Sequence, residues 1–430
     1  MKISDIVYKS FDEVKAMPRF DFKKKTRKPS NFLKPLMLLL CLPEYLQRKS
    51  KVTKINMKGL KPPFFMLCNH NSFFDFKVAT MTMFPRVGCN VVAIDGFINR
   101  EGLLRSCGCI GKRKFTNDPE LVFNIKHILK NKKGFVSIYP EARYSLVGTQ
   151  SPLPEALGRM AKMFEVPVVV LNSHGHHLAQ PVWNLKKRKC HTESTLKQIV
   201  TKEDLKDLTV DEINQRIREA FVYDDYKWQK ENSVLISEPF RAEGLHLPLY
   251  KCPICGSEQH MTSEGSELNC TSCKTTWHMN ELGELECEKK SFSHIPDWFE
   301  WQRGQVNKEI RSGQYHYEEE VMIDSLPNAT GFYRLGKGKL IHTNEGFRLI
   351  GDFAPDFEIV KKPLENFGIH IEYNYFGKGN CISFSTSNDT YYIYPIDQSK
   401  SVTKLHFAAE ELYTITKELM AKEKEDQYIS

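Results

Sequence analysis

No stretch of this 430-residue chain is apolar for long enough to cross a bilayer as a helix. The nearest, Phe32 to Leu42, offers about ten apolar positions interrupted by Lys34, about half of what a spanning helix needs. No secretory leader is expected, for a related reason, since Met1 to Ala16 is charged throughout and has no apolar core. Any strong excess of one charge is also lacking: 61 Lys and Arg against 53 Asp and Glu leave a net +8. That mild excess admits an anionic partner such as nucleic acid, acidic lipid or a phosphorylated substrate, without choosing among them. No disulfide framework is visible either. The twelve cysteines are unevenly spaced and four of them fall in two C-x-x-C pairs, which suits a reducing, cytoplasmic setting and a metal.

What is present is ordinary globular material, 41% hydrophobic and 27% charged, enough for two or three domains with real cores. The apolar stretch Phe32 to Leu42 follows Lys23-Lys24-Lys25-Thr26-Arg27-Lys28. A basic run beside a short apolar helix can lie in the headgroup region of an anionic membrane, or it can be a core helix behind a solvated charge run. From Lys54 to Val170 strand-like and helix-like runs alternate, which predicts an α/β layer structure with a mostly parallel sheet. The strands are expected at Phe64 to Leu67, Val91 to Ile94, Phe135 to Tyr139 and Val166 to Leu171. Helices are expected after Asp118-Pro119-Glu120, where an N-cap precedes proline, over Pro154 to Glu165, and over Asp204 to Val222.

Polar clusters follow these strands, where α/β folds keep their sites. The first is Cys68-Asn69-His70-Asn71-Ser72-Phe73-Phe74-Asp75, a possible base with a carboxylate five residues on. A histidine takes a proton near neutral pH, and a carboxylate on its other ring nitrogen fixes the tautomer. The second runs from Gly96 through Arg100 and Arg105 to Lys112-Arg113-Lys114. The third is Tyr139-Pro140-Glu141-Ala142-Arg143-Tyr144-Ser145, and Val166-Pro167-Val168-Val169-Val170 closes the series.

In this order the four stretches resemble the four blocks of the glycerolipid acyltransferase superfamily, lysophosphatidate acyltransferase type, over roughly residues 30–185. The third block departs from the usual F-P-E-G-T-R-S: Ala142 stands for glycine, and Arg143 comes one place early. The arginine of the second block corresponds to Arg113 or Lys114, and Arg113 is preferred because a guanidinium grips phosphate bidentately. The resemblance implies a catalytic pair, His70 as base and Asp75 as its orienter. Arg143, Arg113 and, as a third candidate, Arg100 would bind the acceptor's phosphate or part of the acyl carrier. Glu141 is either a substrate-binding carboxylate or an internal partner of an arginine.

Acyl transfer from a thioester to an alcohol needs a base, donors for a transient oxyanion and cations for a phosphate; a serine or cysteine nucleophile is not required. The implied donor is acyl-CoA or acyl carrier protein, and the implied acceptor a lysophospholipid or glycerol phosphate at the cytoplasmic membrane face. An acyltransferase on a non-phosphorylated or sugar acceptor, and a catalytically inactive membrane-binding scaffold, are the alternatives. His174-Gly175-His176-His177 reads as a polar loop, with a metal site or contact with the acyl carrier as other readings. Lys186-Lys187-Arg188-Lys189 is a solvated edge or a contact with anionic headgroups or coenzyme A phosphates.

Farther on, Cys252, Cys255, Cys270 and Cys273 form two knuckles fourteen residues apart, which resembles a zinc ribbon. Four thiolates close the coordination shell, so the zinc is structural. Glutamates around the ribbon argue against nucleic acid as a partner. After a helix near Trp298 come recurrent short strands from Val321 onward, among them Gly331 to Leu335 and Lys339 to Thr343, and an amphipathic helix, Lys404 to Met420. Their order resembles a pleckstrin-homology-like barrel closed by a helix. The expected layout is an acyltransferase domain with a membrane-surface helix over 1–248, a zinc ribbon over 249–289, a linker helix over 290–320 and a pleckstrin-homology-like domain over 321–430.

Overall fold

A computed structural model describes residues 5–116 and 118–429. Seven strands between Lys51 and Val200 form one sheet. Its order is Lys51–Ile55, Glu193–Val200, Val168–His174, Phe64–Cys68, Phe135–Ile138, Cys89–Ala93 and Cys109–Lys112. Five of the six neighbouring pairs are parallel, and only Val168–His174 with Glu193–Val200 runs antiparallel. The sheet is therefore mostly parallel, as the alternation of runs predicts. Phe64–Cys68 lies near its middle and is buried at every position, the mark of a strand covered on both faces. One face packs Leu121, Ile125 and Ile128 with Phe164 and Ile213; the other carries Phe64, Met66, Ala79 and Met83. Because Phe64–Cys68, Cys89–Ala93, Phe135–Ile138 and Val168–His174 are mutually aligned, the loops after them converge at one edge.

The strands Lys51–Ile55, Cys109–Lys112 and Glu193–Val200 were not anticipated from the sequence. Two are edge strands, and Glu193–Val200 mixes half-buried and buried positions without a long apolar run. The single helix expected over Asp204 to Val222 is two, Asp204–Asp207 and Val210–Ala220. Thr209 and Glu212 form a capping box that restarts the chain.

A four-stranded antiparallel sheet, Met261–Glu264, Glu267–Cys270, Thr276–Met279 and Leu285–Glu286, follows. It buries Leu268, Trp277 and Met279 against the helix Ile295–Arg311, with Trp277 and Trp298 at 4.9 Å between ring centroids. The last region is an antiparallel sheet from Tyr317–Ser325 to Thr390–Pro395. Its strands lie side by side in the order fourth, third, second, first, seventh, sixth, fifth. The sequence pattern predicts separate strands at Gly331 to Leu335 and Lys339 to Thr343 with a turn at 336–338 between them, but Tyr333–Thr343 is one strand. A Cβ at Gly338 would stand 2.2 Å from the Ile350 carbonyl, so close strand approach, rather than a turn, requires glycine. Val7–Tyr8 joins this sheet in parallel with Tyr333–Thr343. The helix Val402–Ile429 packs on Ile295–Arg311 and closes the region. Among the described residues, no helix is long and apolar enough to cross a membrane.

Candidate active site

The strand Phe64–Cys68 gives way to the loop that carries His70, and the helix Phe74–Met83 begins at once, with Asp75 in its first turn. A carboxylate there is favoured by the helix N-terminus. Asp75 Oδ2 accepts from His70 Nδ1 at 2.9 Å and from the backbone N–H groups of Asn71 at 2.6 Å and Ser72 at 3.0 Å. Burial alone would raise Asp75, but hydrogen bonds from His176 and His70 outweigh it and hold the carboxyl down at about 2. The His70 side chain remains 22% exposed. With Nδ1 on Asp75, Nε2 is the nitrogen left to accept a proton.

Tyr139 and Tyr144 flank the His70 ring, with centroids at 4.2 and 4.3 Å. Glu141 lies beneath. Its Oε1 accepts the His70 backbone N–H at 2.9 Å and its Oε2 accepts that of Ser151 at 2.9 Å. Ser145 N–H in turn donates to the His70 carbonyl at 2.7 Å. Glu141 thus clamps the His70 loop to the segment 145–151. Burial pushes its carboxyl up to about 7 against the pull of these amides.

The arginines are placed differently. Arg143 is buried and forms an ion pair with Glu410 of the C-terminal helix. Arg113, also buried, donates to the carbonyls of Pro327 at 3.2 Å and Asn388 at 2.9 Å and stacks on Phe22. Lys114 Nζ lies 2.6 Å from His370 Nε2 and 3.9 Å from Asp95. Arg100 is exposed at the start of the helix Glu101–Ser106. The structure brings His70, Asp75 and Glu141 together, while Arg143 and Arg113 each direct a guanidinium N–H to the C-terminal region.

One residue of the site, His176, belongs to the run that the sequence pattern assigns to a polar loop, and the structure buries it instead. His176 is fully buried, and its Nδ1 donates to Asp75 Oδ1 at 2.6 Å. Asn69 and Ser173 bind the two strand ends to each other: Asn69 Nδ2 donates to the Ser173 carbonyl at 2.8 Å, and Ser173 N–H returns to Asn69 Oδ1 at 2.9 Å. Gly175, at φ 81°, makes the turn; a Cβ there would lie 2.6 Å from the His191 carbonyl. His177 is buried too, and burial drives it down to about 3, so it is neutral.

The four cysteines Cys252, Cys255, Cys270 and Cys273 do converge, with their sulfurs all within 4.8 Å of one another. Cys252 to Cys273 and Cys255 to Cys270 measure 3.7 and 3.8 Å. A tetrahedral zinc with bonds of about 2.3 Å sets its sulfurs about 3.8 Å apart, so the donor set fits. Among the described residues this is the one cluster that could hold a metal, and the histidines after Ser173 do not form another.

No family model matches this sequence, and no curated protein matches it. Among solved structures, the 1-acyl-sn-glycerophosphate (LPA) acyltransferase PlsC from Thermotoga maritima is 14% identical, with a TM-score of 0.37. The match covers 44% of this chain and 77% of that one, a distant likeness that does not assign this chain to a family.

Proposed function

We propose that this protein is an acyltransferase that moves an acyl group from a thioester, acyl-CoA or acyl carrier protein, to an acceptor hydroxyl, with His70 as base. The observation that carries this is the His70–Asp75 contact: Nδ1 is held at 2.9 Å by a buried carboxylate while the ring stays partly open to solvent. As the hydroxyl oxygen attacks the thioester carbonyl, His70 Nε2 takes its proton. The tetrahedral intermediate then collapses, the C–S bond breaks, and the imidazolium returns the proton to the departing thiolate.

The block resemblance points to a lysophospholipid or glycerol-phosphate acceptor, in phospholipid synthesis or remodelling. A second reading, an acceptor without phosphate, is favoured by one observation: Glu410 already neutralises Arg143. A phosphate on Arg143 would have to displace Glu410, a buried carboxylate that would then keep only Arg303 as its arginine partner.

The zinc we place on the four cysteines is structural, since four thiolates leave no open coordination position. Seven antiparallel strands followed by a closing helix support the pleckstrin-homology-like reading of the C-terminal region, with a role in packing, lipid binding or protein binding. A membrane surface is proposed as the partner of the helix Lys34–Gln47. That helix exposes Leu36, Leu39, Leu40 and Leu46, and it packs on the helix that carries Asp75.

The test is a screen of a labelled acyl thioester against lysophosphatidate, glycerol 3-phosphate and monoacylglycerol, with wild type and His70→Ala. Transfer to any of these that His70→Ala abolishes supports the reading. Transfer that survives His70→Ala overturns the assigned base.

A further inference from the structure

Asp75 serves two histidines at once. Its Oδ2 accepts from His70 Nδ1 at 2.9 Å, and its Oδ1 accepts from His176 Nδ1 at 2.6 Å. The acyl-transfer reading uses the first contact and leaves the second without a role. We infer that His176 is a positioning residue for that reaction: it holds the far oxygen of Asp75, and so keeps His70 with its proton on Nδ1 and its lone pair on Nε2. The catalytic meaning of this rests on the proposed acyl transfer; the geometry does not.

The terminal torsion of an aspartate is broad and roughly two-fold, so a carboxylate held by one oxygen can still swing. Here both oxygens are held. Oδ2 takes His70 and the amides of Asn71 and Ser72, while Oδ1 takes His176. With His176 in place, rotation of the carboxylate would break bonds on both sides of the group. Without it, Oδ1 would be a buried acceptor with no donor, and the carboxylate would gain freedom to turn away from His70.

The surroundings hold His176 as firmly as His176 holds Asp75. The Phe74 ring meets it edge-on at 4.9 Å, and the reciprocal Asn69–Ser173 bonds tie its strand to the one that ends before His70. Gly175 donates its backbone N–H to Asp225 Oδ2 at 3.1 Å, which fixes the turn just before it.

The proton inventory separates positioning from proton relay. His176 Nε2 is buried and has no hydrogen-bond partner among the described residues. A buried N–H without an acceptor is rarer and costlier than a buried lone pair, so Nε2 is left as the lone pair and the proton of the ring sits on Nδ1, facing Asp75. From there it has no second acceptor to go to. His176 therefore acts through Asp75 and does not touch substrate. The depressed carboxyl of Asp75 agrees with this, because an acceptor of four donors has to stay ionised.

The experiment uses the full chain labelled with [15N]histidine, and reads the tautomer of each ring from long-range proton–nitrogen spectra at neutral pH, with no acyl donor present. In wild type His70 and His176 are expected as Nδ1–H tautomers. In His176→Leu, His70 should lose that preference; in His176→Asn, whose amide can donate to Oδ1, it should keep it. In parallel, kcat for transfer should fall roughly a hundredfold in His176→Leu, with KM for the thioester changed less than about twofold, and His176→Asn should recover most of the loss. A wild-type spectrum with the His176 proton on Nε2 overturns the inference. So does a folded His176→Leu with the His70 tautomer and kcat unchanged. If His176→Leu does not fold, loss of the His70 tautomer in His176→Asn overturns it and retention supports it. If no variant transfers an acyl group while the tautomers behave as expected, the acyl-transfer reading fails and the positioning of His70 stands.

Discussion

Glu410, on the C-terminal helix, forms a buried ion pair with Arg143, on the loop whose next residue, Tyr144, packs against His70. Arg303 completes the group, its Nη1 2.6 Å from the other oxygen of Glu410. The carboxyl of Glu410 is pushed up by burial and pulled down further by Arg143, His406 and Arg303, so it is ionised at every working pH. Removing one partner of a buried pair strands the others, at a cost of about 3–5 kcal/mol. Glu410→Ala is expected to lower the unfolding free energy obtained from urea titration by that order. Glu410→Gln keeps an acceptor but frees charge on Arg143, and should raise transfer to lysophosphatidate relative to monoacylglycerol. A ratio that stays the same would show that Glu410 does not set the acceptor.

Glu141 makes a second prediction, in pH. Burial lifts its carboxyl from the ordinary value near 4.5 to about 7, so between those values the folded chain keeps a proton that the unfolded chain has lost. Stability from this group is therefore complete below about 4.5, declines as pH rises towards 7, and is level above it. The decline is on the order of 2–3 kcal/mol. Glu141→Gln abolishes that slope, and it also turns an amide N–H2 against either the His70 or the Ser151 backbone N–H, at about 1–3 kcal/mol. Urea unfolding of the two proteins at pH 5 and pH 7 should show their difference shrinking as pH rises.

Ala142 occupies a left-handed conformation, φ 57°, at the place where the resembled block carries glycine. An L-residue there costs roughly 1–2 kcal/mol, while glycine adds entropy to the unfolded chain and returns part of that. Ala142→Gly should stabilise the protein by about 0.5–1 kcal/mol with His70 undisturbed. Thermal unfolding measures it; a fall in midpoint would contradict it.

The sequence revealed the sheet where strands are buried on both faces and read as apolar runs, as Phe64–Cys68 does. It concealed Lys51–Ile55 and Cys109–Lys112 because short edge strands need no such run. His70 and Asp75 were legible because they stand five residues apart on one loop and helix start. His176 was not, because it lies 101 residues from Asp75 and meets it only once two parallel strands align. The one available signal was a histidine cluster directly after an apolar strand, the same grammar that marked His70. The arginines show the opposite failure: their local pattern suggests a phosphate site, and the C-terminal region that occupies Arg143 and Arg113 lies more than 200 residues away.

The ribbon shares its core with a neighbour, since Trp277 rests on Trp298. Loss of zinc should therefore be felt outside the knuckles. Purified protein is expected to hold about one zinc per chain, and Cys252→Ser to lose most of it, with a lower thermal midpoint and a changed near-ultraviolet tryptophan signal. The residual folded fraction should retain its kcat. A well-folded Cys252→Ser lacking only activity would contradict a structural metal.

The helix Lys34–Gln47 turns Leu39 and Leu40 to solvent at 69% and 59% exposure, and Phe73, beside the candidate base, is 63% exposed. Isolated exposed leucines are common, but these share a helix that packs on the one carrying Asp75, so a surface they contacted would deliver a lipid acceptor near His70. The basic run 23–28 precedes the helix and would add attraction of about 1 kcal/mol per cation if an anionic surface were the partner. Two terms with different salt dependence then act together. Leu39→Glu with Leu40→Glu should abolish co-sedimentation with vesicles containing phosphatidylglycerol at any salt, because it removes buried apolar area. Replacing Lys23, Lys24 and Lys25 by glutamine should weaken binding mainly at low salt, where the Debye length is long. Binding that survives the leucine changes would place the membrane contact elsewhere on the molecule.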